Sequence, residues 1–322
     1  MPEGDAVRQL ATTFNDVFAG SICSVSSPQG RFAASAARID GWRLETVEAH
    51  GKHMFMGFVE PNAPCPSAPR QWVHIHLGLY GTWRFTGDPS SENPRHGLLN
   101  RLQGEPERPG PSGGHRAQRW SVTGSSEGGV WTPPAPVGQV RLRIVIDDAV
   151  ADVSGPNRCE LISDDERLHA LAKLGPDPLV PGARDDTQAM ATFVGGVRRR
   201  RRAIGELMMD QSVIAGVGNI YRADILFLAG ISPMRRGDKI SKKRAEDLWR
   251  LTCDVMNRGF AAGRLDTMDP EEAPREPIEG DEEASRWYVY HRTGRPCLRC
   301  GTPIAEKLMQ NRRLFWCPQC QR

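Results

Sequence analysis

Several groups of residues in this 322-residue chain have the types and spacing that chemistry needs. The first is the start, Met1-Pro2-Glu3-Gly4. Loss of Met1 ahead of a small residue would leave Pro2 with a free secondary amine. An α-amino group titrates near pH ~8, so an appreciable fraction is nucleophilic at neutral pH. Such amines attack sugar or carbonyl carbons to give covalent imines. A secondary amine gives a permanently charged iminium, which is an electron sink without further protonation. Glu3, next in line, could act as general acid or base. The second group is Cys297-x2-Cys300, a gap of sixteen residues, then Cys317-x2-Cys320. This is two-knuckle zinc spacing, and four thiolates closing a tetrahedron make a structural metal site. Cys23, Cys65, Cys159 and Cys253 are scattered and are expected to be unpaired thiols.

Three further groups carry polar or protruding residues. His50-Gly51-Lys52-His53 precedes an apolar strand, and a lysine there is ordinarily solvated surface. His74-Ile75-His76-Leu77-Gly78-Leu79-Tyr80-Gly81 ends in a glycine-bounded turn. Leu79 and Tyr80 on that turn are either a core plug or an outward wedge, with the plug favoured. Gly216-Val217-Gly218-Asn219 opens a helical stretch, so backbone amides at a helix start could bind an anion such as phosphate, with Asn219 as an added donor.

The elements that must position these groups fall into two halves. Pro2 to Phe18 is an amphipathic helix by its apolar spacing. Short strands follow at Ile22–Val25, Arg43–Val47, His53–Val59 and Trp72–Leu77, resuming at Val140–Ile146 and Ala149–Val153. The segment from about 87 to 139 is rich in Gly, Pro, Ser and Arg and reads as a disordered or loop insertion, with Trp120 and Trp131 able to dock locally. After Gly155-Pro156 the pattern turns helical, including Asp164–Leu174, Thr187–Val194, Ala203–Asp210, Ala223–Ala229 and Lys242–Asn257. The acidic stretch from Asp266 to Glu283 reads as a solvated linker.

Composition narrows the class. A hydrophobic content of 39% over 322 residues fits a soluble protein of two or more domains. No apolar run approaches the ~18 residues of a membrane span, and the start lacks a secretory pattern. The expected location is the cytoplasm. The net charge of +3 says little, but Arg198 to Arg202 form an unbroken arginine run. The basic Gln310-to-Trp316 stretch between the knuckles suits contact with a nucleic-acid backbone.

In this order the motifs resemble the formamidopyrimidine-DNA glycosylase/endonuclease VIII family across nearly the whole chain, the insertion excepted. Gln211-x3-Ala215-Gly216-x-Gly218-Asn219-x-Tyr221 resembles that family's helix-two-turns-helix, and Leu79-Tyr80 resembles the wedge of its endonuclease VIII branch. The resemblance implies an α+β fold. An N-terminal helix plus β-sandwich domain would span 1–153, a helix-two-turns-helix domain 154–285, and a zinc finger hairpin 286–322. It implies a bifunctional glycosylase and abasic-site lyase acting as a monomer on double-stranded DNA with damaged bases or abasic sites. Oxidised pyrimidines are the expected substrates, with one structural Zn2+ as cofactor. Pro2 would attack C1′, Glu3 would move protons, and Lys52 would contact phosphate and aid the lyase steps. Arg312 would grip the lesion phosphate, with Arg313 as the competing candidate. His76 and Asn219 would bind phosphate, while Leu79 and Tyr80 fill the gap left by a rotated nucleotide. Two other functions remain open: an abasic-site lyase with weak glycosylase activity, and a damaged-DNA-binding zinc-finger protein without catalysis. Asp5-Ala6 and Gly78 depart from the family pattern, at a second carboxylate and at a glutamine beside the wedge.

Overall fold

A computed structural model describes residues 2–62, 69–88, 91, 118–122, 125–127, 130–276 and 278–322. Within it the chain forms two compact units, Pro2 with 7–171 and residues 3–6 with 172–322.

The first unit follows from alternating strand patterns and one amphipathic helix. Helix α1 (Gly4–Val17) buries Val7, Leu10, Ala11, Phe14 and Val17 along one face. There follow β1 (Ser24–Ser26), α2 (Ala33–Ile39), β2 (Arg43–His50), β3 (His53–Val59), β4 (Gln71–His76) and β5 (Thr82–Gly87). Then come β6 (Gln118–Val122), β7 (Ser125–Glu127), β8 (Val130–Thr132), β9 (Val140–Ile146), β10 (Ala149–Ser154), β11 (Arg158–Ile162) and α3 (Asp164–Ala172). One sheet runs β1-β9-β10-β5-β6, with β5 and β6 parallel. The other runs β11-β4-β3-β2 and is antiparallel throughout. Strand β3 is flanked on both sides, and Met54 to Val59 are all buried, as its unbroken apolar run requires. Phe14 of α1 packs edge-on against Trp83, 4.7 Å between ring centroids, and lies 5.1 Å from Phe85.

Two expectations change here. The segment from 87 to 139 carries β6, β7 and β8 among its described residues, and Trp131 is buried. Its residues 92–117, like Cys65, lie outside the described residues. Beyond Gly155-Pro156 the chain forms strand β11 before any helix, because Arg158 to Ile162 complete the edge of the sheet against β4.

The second unit contains α4 (Thr187–Arg198), α5 (Ile204–Leu207), α6 (Asn219–Leu228), α7 (Lys242–Ala262) and the hairpin β12 (Ala305–Met309) with β13 (Arg312–Trp316). Asp186 caps α4 by accepting from the amides of Gln188 and Ala189, and Ser241 caps α7, as such residues do at helix starts. Helix α6 is apolar nearly all round, the signature of a helix buried on every side. Tyr221, Ile225 and Leu226 join the helical core, while Ala223 and Phe227 join a second core with Tyr288, Val289, Ile304 and Phe315. Asp224 of α6 accepts the amides of Tyr288, Val289 and Tyr290 and the Thr267 hydroxyl.

The stretch from Asp266 to Glu283 is no solvated linker. Thr267, Met268 and Asp281 are buried, and Asp281 pairs with the fully buried Arg292 at 2.7 Å. The arginine run is also partly structural. Arg198 donates to the Ile240 carbonyl, Arg200 to that of Gly196, and Arg202 to Asp210 and Glu206.

Candidate active site

Glu3, 1% exposed, sits at the start of α6. Its Oε2 accepts the Gly218 amide at 2.6 Å and its Oε1 the Ile220 amide at 2.9 Å. Helix starts leave amides unpaired and favour negative charge. The sequence offered these amides to an outside anion; the structure fills them with the chain's own carboxylate. Two glycines make this approach possible. A Cβ at Gly218 would lie 2.3 Å from the Glu3 carboxyl carbon, and one at Gly4 would lie 2.8 Å from Gly216 Cα. Gly4 also donates its amide to the Gly216 carbonyl at 2.9 Å. Pro2, next to Glu3 in the chain, is buried.

Asp5 is buried beside this anchor. Burial first, and then the Glu3 charge, push its carboxyl up to about 6. Tyr221, fully buried, shares the neighbourhood: a Cβ at Gly259 would meet both its hydroxyl and Asp5 Oδ2. The phenol and the carboxyl are close enough to act on one another, yet neither the hydroxyl nor Asp5 Oδ1 has an aligned hydrogen bond. Arg222, one position on, is 0% exposed. Burial pulls its guanidinium down to about 10, against the opposing pull of Glu3.

The β12–β13 hairpin turns at Gln310 (φ 51°) and Asn311 (φ 57°), the paired left-handed conformation of a two-residue hairpin loop. It projects adjacent arginines in different ways. Arg313 forks onto Glu306, with contacts of 2.5 and 2.6 Å. The Arg312 side chain is exposed and makes no hydrogen bond or ion pair with any described residue. Asn219 does not hold its amide free, because Nδ2 donates to the Arg313 carbonyl at 2.9 Å. Below the hairpin, the sulfurs of Cys297, Cys300, Cys317 and Cys320 all lie within 4.8 Å of one another. Cys297 and Cys320 Sγ are 3.9 Å apart, and Cys300 and Cys317 Sγ 3.5 Å. A tetrahedral metal with ~2.3 Å bonds to sulfur needs edges of about 3.8 Å, so the four sulfurs fit such an ion. Cys23, Cys159 and Cys253 are free thiols.

In the first unit, Lys52 occupies the β2–β3 turn, next to Gly51 at φ 57°. It is 8% exposed rather than solvated. His53 and His76 are cross-strand partners. His53 Nδ1 and His74 Nε2 share a hydrogen bond of 2.9 Å, and the His53 and His76 rings lie 4.8 Å apart. Burial, followed by neighbouring histidines and Arg158, drives His53 down to about 3. Burial and Arg158 drive His74 to about 4. His76 is lowered too, by burial and then by Lys52. These imidazoles are neutral near pH 7 and offer polar hydrogens, not charge.

Leu79 and Tyr80 are 46% and 70% exposed, so they protrude and plug nothing. Their turn closes with the Gly81 amide on the Leu77 carbonyl at 3.0 Å. A Cβ at Gly81 would fall 2.3 Å from that oxygen, and one at Gly78, where φ is 67°, would fall 2.7 Å from Asn157 Cβ. A side chain at Gly78 would be strained and would crowd Asn157. The sequence reading missed Arg222 and the His53–His74 pair. The one available signal was an arginine and an aspartate, Arg222 and Asp224, inside the otherwise apolar run of α6.

The chain is similar to many known proteins. Residues 1–112 match the formamidopyrimidine-DNA glycosylase N-terminal domain, and residues 174–269 the formamidopyrimidine-DNA glycosylase H2TH domain. Endonuclease 8 1 of Mycobacterium tuberculosis is 37% identical over 321 residues, covering 100% of both chains. A formamidopyrimidine-DNA glycosylase of Desulfitobacterium hafniense is 34% identical over 166 residues, 51% of this chain and 58% of its own. Among solved structures, the Lactococcus lactis Fpg protein in complex with a THF-DNA and an inhibitor superposes over 100% of each chain with a TM-score of 0.68 at 18% identity. The same protein bound to abasic-site DNA gives 0.67 at 17%.

Proposed function

We propose that this chain, which belongs to the formamidopyrimidine-DNA glycosylase/endonuclease 8 family of DNA glycosylases and abasic-site lyases, excises oxidised pyrimidines through the amine of Pro2. The amine attacks C1′ of a nucleotide rotated out of the duplex, as chemistry on a base in a stacked helix requires. A C–N bond forms at C1′, the glycosidic bond breaks, and the base leaves with a proton. The C1′–O4′ bond then breaks as O4′ takes a proton, which opens the ring and leaves an iminium that acidifies C2′–H. Loss of that proton breaks the C3′–O bond and cuts the strand on the 3′ side. A second elimination removes C4′–H, breaks the C5′–O bond and frees the phosphate on the 5′ side, and water returns the free amine.

One observation carries this reading. The Glu3 carboxyl is held out of water by the Gly218 and Ile220 amides, directly beside Pro2 in the chain. A carboxyl fixed so is preorganised to exchange protons with the opening sugar. Lys52 and His76 serve the phosphates, with His76 as a neutral donor. Arg312 takes the lesion phosphate in preference to Arg313, whose fork is already on Glu306. Leu79 and Tyr80 enter the stack, where an apolar wedge offsets part of the unstacking cost of a few kcal/mol. The four cysteines hold one Zn2+, whose part is to fold the hairpin. The protein works in the cytoplasm, on the chromosome.

The test is incision of one set of duplexes carrying thymine glycol, oxidised guanine, uracil or a bare abasic site. Thymine glycol and the abasic site should be cut, leaving phosphate on both ends of the gap. Cleavage confined to the abasic duplex would make the protein a lyase alone, and preference for oxidised guanine would overturn the pyrimidine assignment.

A further inference from the structure

Arg222 is the largest charged side chain at the start of α6, and nothing in the chemistry above uses it. It is fully buried. A guanidinium out of water is costly unless its donors are matched, so the partners it keeps show what it is for. Nη1 reaches the Gly205 carbonyl of α5 at 3.3 Å. Nη2 donates to Asn219 Oδ1 and, at 3.3 Å, to the Arg313 carbonyl of β13. All three acceptors are neutral, and Nε has no partner.

These contacts converge on the strand that carries Arg312. The Arg313 carbonyl receives two donors from α6, Arg222 Nη2 and Asn219 Nδ2. Because Arg222 occupies Asn219 Oδ1, the Asn219 amide can present only its NH2 group to that carbonyl. The opposite strand is fixed to the same place. Met309 of β12 is buried, and a Cβ at Gly205 would meet its sulfur at 3.0 Å. Gly205 thus takes the Arg222 fork on its carbonyl and the hairpin tip on its Cα. Arg312 pairs with Met309 across the hairpin, one residue from the doubly held carbonyl.

We propose that Arg222 is a positioning residue that clamps the β12–β13 hairpin onto α5 and α6 and so sets where the Arg312 guanidinium points. It touches neither substrate nor metal and acts through Arg312. The inference rests on the reading that Arg312 grips DNA. A lysine could keep the charge but not the fork, since one ammonium cannot span acceptors on three elements.

The test is a double-mutant cycle on abasic-site duplex binding, using Arg222→Met, Arg312→Ala and the double variant, each checked for zinc content and cooperative unfolding. Arg222→Met should weaken binding roughly 10- to 100-fold, the range for losing hydrogen bonds to a charged group. Arg222→Lys should recover less than half of that loss on a logarithmic scale. If Arg222 works through Arg312, the double variant should bind no worse than Arg312→Ala alone. Losses that multiply, or an Arg222→Met protein that binds like wild type, would overturn the inference. If Arg222→Met loses zinc or cooperative unfolding, the cycle is run with Arg222→Lys. Failure of both variants to fold would make Arg222 a residue of the core and also overturn it. An Arg312→Ala protein with unchanged binding would instead overturn the reading of Arg312 itself.

Discussion

Asp5→Asn should make the protein more stable at pH 8 relative to pH 5 than it is with the native residue. The carboxyl of Asp5 is buried, faces the Glu3 charge, and titrates at about 6 instead of 3.8. An acid whose pKa is higher folded than unfolded carries an extra proton in the folded state between those two values, so stability falls there as pH rises. At ~1.4 kcal/mol per pH unit, the ionised Asp5 costs the fold about 3 kcal/mol above pH 7. Roughly half of that, about 1.5 kcal/mol, is gone by pH 5, and all of it below pH 3.8. Asparagine does not titrate, so the stability difference between variant and wild type should shrink by about 1.5 kcal/mol between pH 8 and pH 5. Any pH-independent cost of packing the amide beside Tyr221 cancels in that comparison. Urea unfolding followed by tryptophan fluorescence at half-unit steps gives the difference, and stopping at pH 5 limits protonation of the finger thiolates. A difference that stays flat across the range, or grows toward acid, would show that Asp5 is not strained by ionisation. The account of the Glu3 neighbourhood would then be wrong.

Other substitutions probe the remaining parts. Gly218→Ala places a Cβ 2.3 Å from the Glu3 carboxyl carbon and must dislodge it. Base release should fall at least tenfold more than cleavage of an abasic site, measured as single-turnover rates. Cys317→Ser should lose the metal, seen by elemental analysis, and with it most DNA affinity, because such fingers fold around their ion. Arg313→Ala removes an exposed ion pair with Glu306, so it should cost under ~1 kcal/mol in thermal unfolding and leave DNA affinity within about threefold, by fluorescence anisotropy.

What the sequence made legible was local. The knuckle spacing of Cys297, Cys300, Cys317 and Cys320 reports a metal site because ligand geometry is set by residues a few apart, and the four sulfurs do converge. The unbroken apolar run of β3 reports a central strand for the same reason. What stayed hidden was long-range. Glu3 caps a helix 215 residues away, and no local pattern says that the amides after Gly216 already have an occupant. Leu79 and Tyr80 look alike as plug or wedge, and only the glycine turn that lifts them decides. The acidic stretch from Asp266 looked solvated by composition, but Asp281 meets Arg292 in the interior. Strand β11 is a short mixed segment behind Gly155-Pro156, and it exists because β4 needs an edge partner. Arg222 could not be told from a surface arginine until its three carbonyl and amide acceptors were in place.

The central claim is that the Pro2 amine bonds to the sugar. Borohydride reduction of the protein with abasic-site duplex, followed by peptide mapping of the cross-linked species, tests it most directly. The modified residue should be Pro2, and the adduct should vanish when Met1 is retained or Pro2→Gly is introduced. An adduct on Lys52 or any other lysine, or no adduct at all, would contradict the account.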